Sequence, residues 1–182
     1  MKIVGFAGSL RSGSYNKKLL RAAKELSPEG VEFEIVDIAD IPLYNGDFEE
    51  QGLPESVTIL KQKIADADGI VIATPEYNHS FSGVVKNAID WVSRPPKNSF
   101  NEKPVAIISS SDGMVGGTRA QYHLRQVLSN LNMYAVNKPE VIIPFELDGK
   151  FDAEGNFTDE KGRQKVRQLM ENLVKLAEKL AI

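Results

Sequence analysis

Near the amino terminus, Gly8-Ser9-Leu10-Arg11-Ser12-Gly13-Ser14-Tyr15-Asn16 gathers one guanidinium, several hydroxyls and an amide among small residues. That composition suits an anion. Small residues let backbone N–H groups converge, a helix beginning directly afterwards adds favourable partial charge, and Arg11 adds a charge-assisted hydrogen bond to those of Ser9, Ser14 and Asn16. Phosphate is the expected guest. Two better-known phosphate loops are excluded by spacing: Gly5 and Gly8 do not fit G-x-G-x-x-G, and Ser14 stands where a nucleoside triphosphatase needs lysine. The plainer alternative is a serine-rich turn that caps a helix.

Two further stretches carry polar groups at useful spacing. Thr74-Pro75-Glu76-Tyr77-Asn78-His79-Ser80-Phe81-Ser82-Gly83 sets an aromatic body beside an amide, which suits a planar heterocycle read along its polar edge. Here Glu76 is alternatively a helix cap and Tyr77 a plain core aromatic. Ser109-Ser110-Ser111-Asp112-Gly113-Met114-Val115-Gly116-Gly117-Thr118 combines hydroxyls with glycines that let backbone approach a ligand, or else forms a flexible turn before a helix.

Other chemistry is poorly served. The 182 residues include no cysteine, which removes thiolate catalysis, iron–sulfur ligation and cysteine zinc sites. The two histidines, His79 and His123, lack zinc-helix spacing, and no G-x-S-x-G elbow is present. A phospho-receiver would need acidic residues where Gly8-Ser9 and Thr74-Pro75 stand. Lys+Arg 22 against Asp+Glu 25 gives −3, so no basic field recommends nucleic acid. No apolar run approaches the ~20 residues of a spanning helix. A cytoplasmic protein with no metal and no membrane partner is expected.

The elements that must bring these loops together follow from periodicity. Aliphatic runs at Lys2 to Ala7, Val31 to Ile38, Gly69 to Thr74, Pro104 to Ser109 and Ala135 to Ile143 read as strands, several of them covered on both faces. Helices are predicted over 15–27, 55–67, 82–93, 117–131 and 159–180, the last with Thr158 or Asp159 as its cap. Alternation of this kind implies right-handed crossovers and a doubly wound sheet. The expected architecture is α/β, a flavodoxin-like three-layer sandwich with helices on both faces of a five-stranded parallel sheet of order 2-1-3-4-5. Pro139 cannot donate to a ladder, which agrees with an edge place for the fifth strand. The stretches Asp40 to Pro54 and Phe145 to Thr158 read as loops or a small hairpin, so residues 1–182 are expected to form a single domain. Ligands of such sheets bind outside the carboxyl ends of strands one and three, where the three polar loops meet.

Taken together, G-S-L-R-x-x-S-x-N, T-P-E-Y-N before a helix ending K-N-A-I-D-W (Lys86 to Trp91), and S-x-G-x-x-G-G resemble the NADPH-dependent FMN reductase family. Arg119 to Arg125 and Asn137-Lys138-Pro139-Glu140 bring the likeness closest to its bacterial quinone and chromate reductase branch. The resemblance implies non-covalent FMN, with Ser9, Arg11, Ser14, Tyr15 and Asn16 at its phosphate. It implies Pro75, Glu76, Tyr77 and Asn78 along the isoalloxazine, and Ser110, Gly113, Gly116 and Gly117 at its border. It further implies NADPH or NADH as co-substrate, and electron transfer to quinones, azo compounds, chromate or free flavin. No protein nucleophile or catalytic base is implied, because the flavin carries the hydride chemistry. Family members are usually dimers or tetramers in which a neighbouring subunit helps cover the flavin. His79 departs from the tyrosine common at its place and adds a titratable group. The competing expectation is a flavodoxin-type electron carrier without NAD(P)H turnover of its own.

Overall fold

The computed structural model describes residues 1–144 and 147–181. Five parallel strand positions form its centre. They are built by β1 (Lys2–Ala7), β2 (Glu32–Ile35), β3 (Gly69–Ala73), β6 (Pro104–Ser111) and the pair β7 (Tyr134–Ala135) and β8 (Val141–Pro144). The order runs β2-β1-β3-β6, with β7 and β8 both paired to the outer edge of β6. The predicted order 2-1-3-4-5 therefore stands.

Alternation explains how the sheet holds two layers of helix. In β1, Ile3 and Ala7 pack beneath α1 (Tyr15–Glu25) and α6 (Glu160–Leu180). Val4 and Phe6 point the other way, toward α3 (Glu55–Asp66), α4 (Gly83–Val92) and α5 (Thr118–Asn130). All five residues of β3 are buried, as expected of a central parallel strand. The apolar stripe of α6 (Val166, Leu169, Met170 and Leu173) closes one core, and Asp159 caps the helix through the Gly162 amide at 2.8 Å.

Three departures have local causes. The expected fifth strand, Ala135 to Ile143, is interrupted: Pro139 breaks the ladder, and the chain leaves β6 after β7 and rejoins it as β8. Within 40–54 a short helix α2 (Gly46–Glu50) forms, capped by the Asn45 side chain. The second polar loop is a hairpin of β4 (Glu76–Tyr77) and β5 (Ser80–Phe81). Its two-residue turn puts Asn78 at φ 50° and His79 at φ 64°, the left-handed pair that a type I′ turn requires. In the last connection Phe151 and Phe157 form the expected small hairpin, while its first two residues, 145 and 146, lie outside the described residues. Among the described residues no helix is long and apolar enough to cross a membrane.

Candidate functional site

The three polar loops leave the carboxyl ends of β1, β3 and β6 and converge, because those strands are adjacent in the sheet. The first loop is pinned from both sides. A Cβ on Gly8 would fall 2.4 Å from Val85 and 2.5 Å from the Ser82 hydroxyl, so only glycine lets the loop pass the start of α4. Ser14 caps α1, its hydroxyl accepting the Lys17 amide at 3.3 Å. Asn16 is buried and pairs twice with the Ser110 backbone: its Nδ2 donates to the carbonyl and its Oδ1 accepts the N–H, both at 3.0 Å. That pairing ties the first turn of α1 to the end of β6.

Between these loops lie two adjoining hollows that share Glu76 and Ser111. The first, of about 110 Å³, brings Ser9, Arg11, Ser14, Asn16, Pro75 and Ser110 together. Tyr15 and Tyr77 also border it. Arg11 is exposed at its rim, whereas Ser9, Ser14 and Ser110 are buried. The second, of about 490 Å³, takes Asn78, His79, Gly113, Met114 and Arg119. Thus the expected residues from all three loops meet, and Arg11 lies at the amino end of a helix, where an anion is favoured.

Placement differs from expectation at several residues. Tyr15 turns its phenol to the Asp148 carboxylate and its ring to Phe151, 5.2 Å away, so its side chain braces α1 against the last connection. Gly116 and Gly117 border neither hollow. Their absent side chains make room for the sheet: a Cβ on Gly116 would meet Ile142 at 2.7 Å, and one on Gly117 would meet Ser109 at 2.6 Å. Both hold positive φ, 58° and 95°. The Ser109 hydroxyl donates to the Gly116 carbonyl at 2.8 Å and accepts Gln121 Nε2 at 2.9 Å, locking this turn onto β6. Sequence reasoning missed Ser111, Asp112, Leu147, Met114 and Arg119 as lining residues. Four of them lie within or beside the third loop and were open to notice; Leu147 is brought in only by the path of the chain after β8.

Among the described residues, one buried side-chain polar atom has no partner: the Ser110 hydroxyl, on the wall of the first hollow. A buried hydroxyl left unpaired costs about 1–3 kcal/mol, so it is normally satisfied by a guest or by water. Together with Arg11 and the first-turn amides of α1, it gives this hollow the donors that a phosphate-bearing, polar-chained cofactor needs. The residues present fit FMN. A larger groove of about 760 Å³ runs between α4 and α5, lined by Lys86, Asp90, Arg94 and His123 among others, and touches neither the first loop nor the third.

Comparison with known proteins agrees with this geometry. Residues 1–148 match the family model described as NADPH-dependent FMN reductase. An NAD(P)H-dependent FMN reductase of Pseudomonas aeruginosa is 48% identical over 173 residues, which cover 95% of this chain and 93% of that protein. An NAD(P)H:quinone oxidoreductase of Solanum tuberosum is 45% identical over an alignment of 185 positions that covers 99% of this chain and 94% of that protein. Among solved structures, the flavoenzyme NAD(P)H:(acceptor) oxidoreductase FerB of Paracoccus denitrificans superposes with a TM-score of 0.88 at 36% identity. That superposition covers 98% of this chain and 97% of the other. With the site's donors and the match over four-fifths of the chain pointing the same way, the chain belongs to the NADPH-dependent FMN reductase family.

Proposed function

We propose that this chain is an FMN-dependent NAD(P)H oxidoreductase that passes two electrons to a quinone, with the flavin held where the three loops meet. The observation that carries this reading is the convergence, on one hollow, of Arg11, the α1 amides and the unpartnered Ser110 hydroxyl. In this reading Ser9, Arg11 and Ser14 hold the phosphate, helped by the Tyr15 and Asn16 backbone amides at the start of α1. Asn16 acts chiefly by keeping α1 and β6 in register, since its amide already pairs with Ser110. Pro75, Glu76, Tyr77 and Asn78 flank the ring system, Ser110 and Gly113 border it, and Gly116 and Gly117 shape the turn from behind.

When bound, FMN supplies hydride acceptance from a nicotinamide and two-electron delivery to the acceptor. The chain's own residues bind and orient. Arg11 fixes the anionic end by charge, while Tyr77, about half exposed at 49%, presents an aromatic face at the mouth of the cleft. Relatives named as quinone oxidoreductases support quinone as the acceptor class. Azo compounds, chromate and free flavin belong to the wider set that an open cleft admits.

The test is direct. Purified protein mixed with FMN should acquire a protein-bound flavin spectrum, and it should oxidise NADPH or NADH when a benzoquinone is added, with no partner reductase. A chain that takes up no flavin, or one that takes it up and turns over no nicotinamide, overturns the reading. The second outcome would leave the flavodoxin-type carrier. We extend the proposal to assembly: a homodimer or homotetramer, supported by the open α4–α5 groove and by Tyr122, 51% exposed on α5. Sedimentation equilibrium returning only the 20.1 kDa protomer would refute that extension.

A further inference from the structure

Glu76 opens the hairpin β4–β5; of the two roles its sequence context offers, a place along the flavin ring or a helix cap, its carboxylate is engaged in the second, at the start of α5. Only 8% of its side chain is exposed. Oε2 accepts the backbone N–H of Arg119 at 3.1 Å and of Ala120 at 3.4 Å, and Oε1 accepts Arg119 Nη1 at 3.3 Å. Those two amides belong to the first turn of α5, a helix whose own cap position is Gly117 and which therefore supplies no capping side chain. A helix start leaves its first four N–H groups without intrahelical partners and carries partial positive charge, so a carboxylate there is favoured twice over. Glu76 supplies that carboxylate from forty-odd residues away. One turn further along α5, His123 Nδ1 lies 3.3 Å from the Ser80 hydroxyl, a second tie between helix and hairpin.

The consequence lies in what these ties join. On its far side the third loop is fixed to the sheet through Ser109, Gln121 and the crowded Gly116 and Gly117. On its near side it faces the hairpin, and Glu76 is a wall residue common to both hollows. The separation of the second and third loops, which is the width of the cleft, is thus set by the Glu76 carboxylate at the septum, with the His123–Ser80 tie one turn further along. Leaving that carboxylate out would release two amides and a guanidinium at the septum and loosen the hold of one loop on the other there.

We propose that Glu76 is a positioning residue: it caps α5 from the hairpin and so sets the cleft width that holds the isoalloxazine in place. This rests on the flavin reading above. A carboxylate is required rather than a side chain of the same shape, because all three of its partners are donors. Glutamine offers one acceptor oxygen and turns an NH2 toward the others.

The experiment compares Glu76→Gln and Arg119→Met with wild type in the full chain. Without FMN, hydrogen exchange at the Arg119 and Ala120 amides should quicken about tenfold in Glu76→Gln while β1 and β3 stay protected. In Arg119→Met, which keeps the carboxylate and both backbone donors, exchange at Ala120 should stay within about threefold of wild type. With FMN, Glu76→Gln should raise the flavin dissociation constant about tenfold. At saturation its visible circular dichroism should weaken, a readout of ring orientation that lowered stability alone would not move. Unchanged exchange in Glu76→Gln, or quickened exchange with unchanged flavin affinity and dichroism, overturns the proposal. If the wild-type chain itself binds no FMN, the flavin reading falls instead, and the exchange result then speaks for the cap alone.

Discussion

At the scale of single residues, several side chains of the site are already engaged within the protein: Ser14 and Asn16 with backbone groups, Tyr15 with Asp148 and Glu76 with the start of α5. Arg11, by contrast, is exposed at the rim of the first hollow. Arg11→Ala should weaken FMN binding by about 1.5–3 kcal/mol, the worth of one charge-assisted contact, as read by fluorescence titration. The melting temperature of the flavin-free chain should hardly move. Gly117 makes the opposite case, since its φ of 95° and the 2.6 Å approach to Ser109 leave no room for a methyl group. Gly117→Ala should destabilise the flavin-free chain by more than about 2 kcal/mol in urea unfolding, because strain and overlap add. The first-loop residues that line the hollow were legible, since Arg11, Ser9 and Ser14 declare themselves by type. The reason for Gly116 and Gly117 was not, because the atoms they avoid belong to β6 and β8.

Among elements, side chains at helix ends and inter-element anchors carry the organisation. Asn87 and Trp91, from the K-N-A-I-D-W stretch of α4, fasten the 40–45 segment. The Asn87 amide accepts the Tyr44 N–H and donates to the Pro42 carbonyl, and Trp91 Nε1 donates to that same carbonyl, each at 2.8 Å. Trp91→Phe keeps most of the packing and drops one buried donor. It should therefore cost about 1–2 kcal/mol and open residues 40–50 to proteolysis sooner than the rest of the chain. Lys103 donates to the Ala65 and Ala67 carbonyls and so closes the carboxyl end of α3, as Lys61 does for α4 through the carbonyls of Val92, Arg94 and Lys97.

Burial, first among the causes, holds the Lys103 ammonium below the usual lysine value of 10.5. Between the lowered folded value and 10.5 the unfolded chain binds more protons, so this residue's contribution to stability rises with pH there. Lys103→Met should remove that alkaline rise while lowering stability at neutral pH by about 1–2 kcal/mol, as urea midpoints at neutral and mildly alkaline pH will record. The five longer helices, α1 and α3 to α6, were readable from periodicity to within a residue or two, whereas α2 fell in a stretch that reads as a loop. The hairpin β4–β5 was hidden because His79, not glycine, fills the second left-handed position of its turn.

For the molecule as a whole, the cleft is a property of sheet order. Loops after β1, β3 and β6 meet because those strands are neighbours, and the cores beneath α1 and α6 on one face and α3, α4 and α5 on the other hold them so. A ligand that binds only this arrangement must stabilise it. FMN at a hundredfold excess over its dissociation constant should add about 2.7 kcal/mol to unfolding, and Arg11→Ala at the same FMN concentration should gain less. Differential scanning calorimetry with and without FMN measures both, and a melting temperature indifferent to FMN would count against binding to the native state.

Taken alone, the chain of residues determined the strand–helix alternation, the sheet order it implies, the polar make-up of the three loops and the family resemblance. Each of these depends on residue type and near neighbours, or on a handedness rule common to all such sheets. Tertiary structure alone decided which polar groups are spent on the protein itself. Asn16 on Ser110, Tyr15 on Asp148 and Glu76 on the start of α5 are pairings across 94, 133 and some forty residues. No local pattern encodes such a pairing, because a side chain's partner is fixed by where the sheet delivers it.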